Sequence, residues 1–211
     1  IDGDGKVERV GKFCYLGDMI GSGGGAEEAS RARVRCAWAK FRELSPILTA
    51  RGASLKMKGK LYSMYVQSVM MYGSETWAMK VGDMQRLERA EKMMIRWMCG
   101  VTLHDGKTSE ELRKRLAVVS VTDKVRQGRL RRFGHVERRD EGDWVSACRD
   151  MSVVGKRGRG RGRKTWNECT VDDMKKMKLR REDAQDRGLW RSGILGRRPT
   201  RASAETRTLK R

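Results

Sequence analysis

The stretch Ser54–Trp77, SLKMKGKLYSMYVQSVMMYGSETW, decides how the rest of the chain is read. Met57, Leu61, Met64, Tyr65, Ser68, Val69 and Tyr72 recur in it at steps of three and four, which predicts a helix with those residues as its buried stripe. Lys56, Lys60, Ser63 and Gln67 follow the same steps on the other side, so the same helix would hold a polar face toward phosphates. Gly73 is the expected stop, because a residue without a Cβ accepts the left-handed backbone.

Upstream, Lys6–Val10 and Phe13–Ile20 carry β-branched and aromatic residues around Gly11 and Lys12, the pattern of a β-hairpin within residues 1–20. Asp2, Asp4 and Gly5 also match the start of a calcium-binding loop, but Gly11 stands where that loop needs its bidentate Glu, so the hairpin reading is preferred. Gly21–Gly25 lacks a terminal Gly-Lys-Ser/Thr and reads as a loop tip. A helix from Ala26 to about Ser45 would bury Val34, Ala37, Trp38, Phe41 and Leu44, with Pro46 ending or kinking it.

Downstream, Asp83 is placed to cap a helix burying Met84, Leu87, Ala90, Met94, Ile95 and Met98, with Gly100 as its stop. Thr108 and Glu111 form a capping box for a short helix with Leu112 and Leu116. In Val121–Val136, Val121 and Val125 share a face from which Leu130 and Phe133 are rotated. A second capping box, Thr165 with Glu168, opens a helix carrying Trp166, Cys169 and Met174, and a last one holds Ala184, Leu189 and Trp190. The fold expected is mainly α. A short amino-terminal β-hairpin (1–20) leads into an antiparallel helical bundle (26–136). A basic linker with one or two short helices (137–192) and a disordered basic tail (193–211) follow.

A chain of 211 residues with 38% apolar content and six tryptophans can build a core, while a net charge of +21 and a pI near 10.4 call for an anionic partner. The charge is uneven: residues 1–100 hold 17 Lys+Arg against 11 Asp+Glu, and residues 101–211 hold 31 against 16. Nucleic acid is the partner this favours. Five scattered cysteines without metal-site spacing suggest reduced thiols. No run approaches the roughly 20 apolar residues of a membrane span, and no signal peptide opens the chain. An intracellular protein, nuclear or cytoplasmic, is expected. Because the text begins at Ile1 and mid-pattern, it reads as a piece of something longer.

No catalytic site assembles from these residues. His104 and His135 are far apart and away from cysteines at zinc-ligand spacing, so a zinc site would have to form across the fold, from His135 and Cys148 for example, and a surface or packing histidine is the preferred reading. Asp172 with Asp173 and Glu110 with Glu111 sit at helix starts or in charged runs, where the dipole and solvent account for them. Basic residues interleaved with aromatics fit nucleic acid better. Arg126, Arg129, Arg131 and Arg132 surround Phe133, and the arm GKRGRGRGRK supplies Lys156, Arg157, Arg159, Arg161, Arg163 and Lys164 just before Trp166. The plain alternative is that the helical charges are a solvated face and the tryptophans core.

In order, Phe13-Cys14-Tyr15-Leu16-Gly17-Asp18-Met19-Ile20, Tyr72-Gly73-Ser74-Glu75-Thr76-Trp77, Leu87-Glu88-Arg89 to Ile95-Arg96, Arg129–Val136, Gly162–Trp166 and Ala184–Arg187 with Trp190-Arg191 form a series over about residues 7–191. This series resembles the carboxy-terminal pattern of reverse transcriptases of LINE-type retrotransposons, those lacking long terminal repeats. The resemblance implies that Phe13, Tyr15, Leu16 and Gly17 match the primer-grip hairpin at the end of the palm, that residues 26–136 match the thumb, and that His135 joins the nucleic-acid contacts. It implies RNA, DNA and RNA–DNA hybrid as partners, together with an upstream palm and fingers, and neither membrane nor small-molecule substrate. The family's Tyr-x-Asp-Asp motif, which holds two magnesium ions, does not occur in these residues, and Asp2 and Asp4 do not replace it. This stretch alone is therefore expected to be inactive as a polymerase and to hold no cofactor. The alternatives are a stand-alone basic RNA-binding module or a decayed element fragment.

Overall fold

The computed structural model describes residues 10–140, 142–151, 162 and 164–197. They fall into two compact units, one of residues up to Gly73 with Trp77–Val121, the other of Ser74–Thr76 with Thr122 onward. Residues 122–136, grouped with the bundle in the expected layout, fall in the second unit. The fold is mainly α, opened by a two-stranded antiparallel hairpin, as expected, but the hairpin turns at Leu16 and Gly17 and not at Gly11 and Lys12, because Lys12 already pairs with Gly21.

In the first unit β1 (Lys12–Tyr15) pairs with β2 (Asp18–Gly21) from Lys12 opposite Gly21 to Tyr15 opposite Asp18. The helix α1 (Glu27–Leu48) opens with Glu27 and Glu28 in its first turn, where they complement the dipole. It buries Ala37 and Phe41 and passes through Pro46. The helix therefore does not end at Pro46, one of the two expected outcomes, but continues to Leu48. A proline so near the end removes few helical hydrogen bonds, and the Arg42 carbonyl that residue 46 would have served accepts the Ser45 hydroxyl instead at 2.8 Å.

The opening stretch forms one continuous helical run: α2 (Leu55–Leu61), a π-helical turn (Tyr62–Val66) and α3 (Gln67–Met71), with Ser54 capping its start and Gly73 in the left-handed region after it. Its buried side is Lys58, Gly59, Tyr62, Val66, Gln67 and Met70. The expected stripe is thus wrong, for Met57, Met64, Tyr65 and Tyr72 are exposed. The reason lies in the turn. Positions 58, 62, 66 and 70 are four apart, and in an α-helix each such step overshoots a full turn by about 40°. A π turn, wider by about one residue, absorbs that drift and keeps all four on one side.

The helix α4 (Val81–Cys99) buries Leu87, Ala90, Met94, Ile95 and Met98 and ends at Gly100, whose φ is 63°. Asp83 does not cap it from outside; it is the third helical residue, and its carboxylate accepts the Lys80 N–H at 3.2 Å. Thr108 caps α5 (Ser109–Leu116), whose Leu112 and Leu116 are buried. The core lies where α1 meets α3 and α4, and where α5 meets α2 and α4.

The second unit holds α6 (Val121–Glu137), α7 (Trp144–Asp150), α8 (Trp166–Met177) and α9 (Arg187–Ile194). Leu130, Phe133, Met174, Leu179, Ala184, Trp190 and Ile194 form its core. The Thr165–Glu168 capping box is complete. Gly193 and Ile194 are helical and buried, so order runs past the residue at which the tail was expected to begin. No helix among the described residues is long and apolar enough to cross a membrane. All five cysteines are free thiols.

Candidate nucleic-acid interface

The hairpin tip has an uncommon backbone. Leu16 and Gly17 both have positive φ, 48° and 76°, the pattern of a type I′ turn that matches the strand twist. Glycine adopts it freely, whereas leucine there is strained by about 1–2 kcal/mol. Side chains from two helices secure it: the Tyr72 hydroxyl donates to the Leu16 carbonyl at 3.0 Å, and the Arg33 guanidinium donates to the Gly17 carbonyl while lying 4.2 Å from the Tyr72 ring centre. The Trp77 indole N–H reaches the Asp18 carboxylate at 2.8 Å. With its carbonyls held, the tip presents Leu16, 76% exposed, beside Phe13 and Tyr15, whose rings stack at 6.5 Å.

Along the run from Leu55 to Met71, Lys56 and Lys60 are exposed and Ser63 is half-buried. Gln67 is fully buried, donating to the Val119 carbonyl at 2.8 Å and to Glu91 at 3.1 Å, so its place on a phosphate-facing surface is corrected. It is held there because Glu91, itself fully buried, gathers Gln67, the Arg113 guanidinium at 3.1 Å and the Val121 N–H at 3.0 Å. Burial pushes the Glu91 carboxyl above the usual carboxylate range, against the pull of Arg113 and these hydrogen bonds. Lys58, which pattern reading passed over, is buried and donates to the Met98 carbonyl at 3.1 Å, satisfying one of the last carbonyls of α4.

On α6 the basic residues divide into two sets. Arg129 is buried and pairs with Asp173 at 3.2 Å, and Arg126 is shared between Asp123 at 2.7 Å and Asp173 at 3.6 Å. Arg129 is buried and Arg126 half-buried, and both guanidiniums are committed to ion pairs that join α6 and α8, which corrects the expectation of open phosphate contacts. Burial holds the Asp173 carboxyl high even with Arg129 and Arg126 drawing it down. Arg131, Arg132 and His135 are exposed.

Trp166 is half-buried; its ring packs 6.2 Å from Phe133 and its N–H donates to the Glu75 carbonyl at 2.8 Å, so it serves the core and is not free to stack on a base. Lys164 pairs with Asp172 at 2.6 Å, a contact that draws the Asp172 carboxyl down and the Lys164 ammonium up. Lys156, Arg157, Arg159, Arg161 and Arg163 lie outside the described residues.

Arg131 and His135 open onto a half-open pocket of ≈ 800 Å³ that they share with Arg138 and Arg139. Its far side is α9, with Arg187 and Arg191 on the rim and Trp190, Ile194 and Leu195 within. The walls are fixed. The Trp190 N–H donates to the Leu130 carbonyl at 2.9 Å, a Cβ on Gly134 would come within 2.6 Å of the Trp190 ring, and Arg138 donates to the Ala184 carbonyl at 2.6 Å. Arg139 pairs with Asp143 at 3.3 Å, whereas Arg131, Arg187 and Arg191 have no acidic partner among the described residues. Arg138, Arg139, Arg187 and Arg191 were absent from the residues expected at an interface. A signal existed, because positions 131, 135, 138 and 139, and again 187 and 191, recur at helical spacing.

Among the described residues no three His, Cys, Asp or Glu side chains gather as metal ligands.

These features define a basic, mainly helical chain whose polar chemistry suits anions. The chain is 28% identical over 145 residues to a transposon-derived protein of Caenorhabditis elegans, a match covering 67% of this chain and 52% of the relative. It therefore spans about half the length of the curated relative it matches, and the likeness points to a transposon origin. No family model and no solved structure matches the chain.

Proposed function

We propose that this chain is the thumb and carboxy-terminal portion of a LINE-type reverse transcriptase and grips primer–template nucleic acid, the palm aspartates being supplied by sequence outside these residues. The observation that carries the reading is that the motif pieces, far apart in sequence, meet in space. Leu16 and Asp18 of the first piece are bonded to Tyr72 and Trp77 of the second. Phe133, Trp166 and Trp190, from three later pieces, pack ring against ring. Similarity to a transposon-derived protein and the net charge of +21 support it further. The hairpin tip, Lys56 and Lys60 supply the contacts, with RNA–DNA hybrid as ligand.

Titrating the purified chain with a labelled RNA–DNA hybrid at rising salt tests this. Neutralising even a few phosphates should weaken binding roughly tenfold or more between about 50 and 200 mM salt. Binding that is absent, or that stays flat over that range, overturns the reading.

A further inference from the structure

The α6–α9 pocket has a form that gripping a duplex does not require. A duplex shows proteins a convex surface of phosphates with its bases stacked inside, and a flat basic face suffices for it. This surface is instead a cavity of ≈ 800 Å³, within the roughly 300–1,000 Å³ of sites that enclose a small ligand. Three guanidiniums at its rim, from Arg131, Arg187 and Arg191, lack acidic partners among the described residues, while Leu195, backed by the buried Ile194, makes an apolar inner wall.

Resting on the function proposed above, we infer that this pocket captures an unpaired nucleotide of a single strand. Its phosphates lie on Arg131, Arg187 and Arg191, and its base lies against Leu195, which is 43% exposed. An inorganic anion would gain nothing from the apolar wall, and a purely apolar ligand would leave three cations without counterions. Only a ligand with a charged backbone and a flat, weakly polar face satisfies both halves, and an unstacked base also offers its face to a guanidinium plane. Trp190 shapes the wall rather than stacking, because it is 2% exposed and its N–H is occupied. The hydrogen bonds that lock Arg138 and Trp190 leave little to order on binding.

The test uses the full chain and three labelled ligands: a single-stranded RNA, the single-stranded DNA of the same sequence, and a blunt RNA–DNA hybrid of equal length. Three variants are compared with the wild type: Arg187→Gln with Arg191→Gln, Leu195→Gln, and Lys114→Gln with Arg115→Gln as a charge-matched control in the other unit. The paired arginine variant should lose about tenfold or more on a single strand and less than about threefold on the hybrid, and the control less than about threefold on all ligands. Leu195→Gln, which leaves the charge unchanged, should also weaken the single strand alone. A selective loss on RNA only, DNA only or both supports the pocket and says which strand supplies the nucleotide. Equal losses on hybrid and single strand, or no loss on either single strand, overturn it while the hybrid-binding function stands. A wild-type chain that binds none of the three ligands overturns the function as well. Unchanged circular-dichroism melting of each variant shows that folding is not what has been measured.

Discussion

Gly59 is where α2 and α5 come closest. A Cβ there would overlap the carbonyl oxygen of Leu116, a backbone atom that cannot swing aside. Alanine would gain about 1 kcal/mol in helix propensity, but forcing the helices apart puts Gly59→Ala at the upper end of the roughly 1–3 kcal/mol typical of overpacking. A lower melting midpoint is expected. Gly82, in the first turn of α4, has open space where a Cβ would stand, with nothing within 4 Å of it. Gly82→Ala should therefore raise the midpoint by a degree or more, in line with about 0.4–1 kcal/mol. Thermal melts of the two variants should move in opposite directions.

Glu91 gives a proton-linked expectation at the same scale. Its carboxyl is raised in the folded state by burial, with Arg113 and the hydrogen bonds from Val121 and Gln67 opposing, and its charge in turn raises the buried Tyr62 hydroxyl further. A raised folded value means that the folded form holds the proton more tightly. The contribution of this group is therefore fully present below the unfolded value of about 4.3 and is lost as pH rises through the folded value. Glu91→Gln cannot titrate. Relative to that variant, the wild type should lose stability as pH rises from about 4 toward neutrality, read as the difference between their melting midpoints; a difference that is flat or grows the other way refutes it.

At the scale of elements, the contact of α6 with α9 depends on Trp190. Its ring fills the space over Gly134, and its N–H satisfies the Leu130 carbonyl. Trp190→Phe keeps most of the buried area but removes the donor, which should cost about 1–3 kcal/mol, whereas Trp190→Ala should cost about 3–5 kcal/mol by opening a cavity. Denaturant unfolding of the pair separates the hydrogen bond from the packing. Elements were the most legible level of the sequence. α1, α4, α5 and α8 stand close to where apolar steps, caps and terminal glycines put them, because those signals act within a few residues. The run from Leu55 to Met71 was located but turned the wrong way. Its exposed methionines and tyrosines imitate a core stripe, while Lys58 and Gln67 are buried by partners, Met98 and Glu91, that no local pattern shows.

Over the whole molecule, a net charge of +21 favours an anionic partner but does not locate the contact surface. Arg129 and Arg131 are two residues apart and equally basic, yet one is buried on Asp173 and the other opens onto the pocket. The deciding fact is the position of Asp173, 44 residues beyond Arg129 in the chain, and composition carries no information about it. Long-range contacts that composition likewise does not reveal include Leu16 with Tyr72 and Phe133 with Trp190. The π turn at Tyr62–Val66 bears on how relatives of this chain should be aligned. Its wider turn accommodates about one residue more than an α-helical turn would. A homologue lacking that residue would be rotated by about 100° beyond the gap and could keep its counterparts of Lys58 and Gly59, or those of Gln67 and Met70, pointing inward, but not both. A one-residue gap placed inside this helix is thus a structural signature, and an ungapped alignment across it would pair inward-facing residues with outward-facing ones.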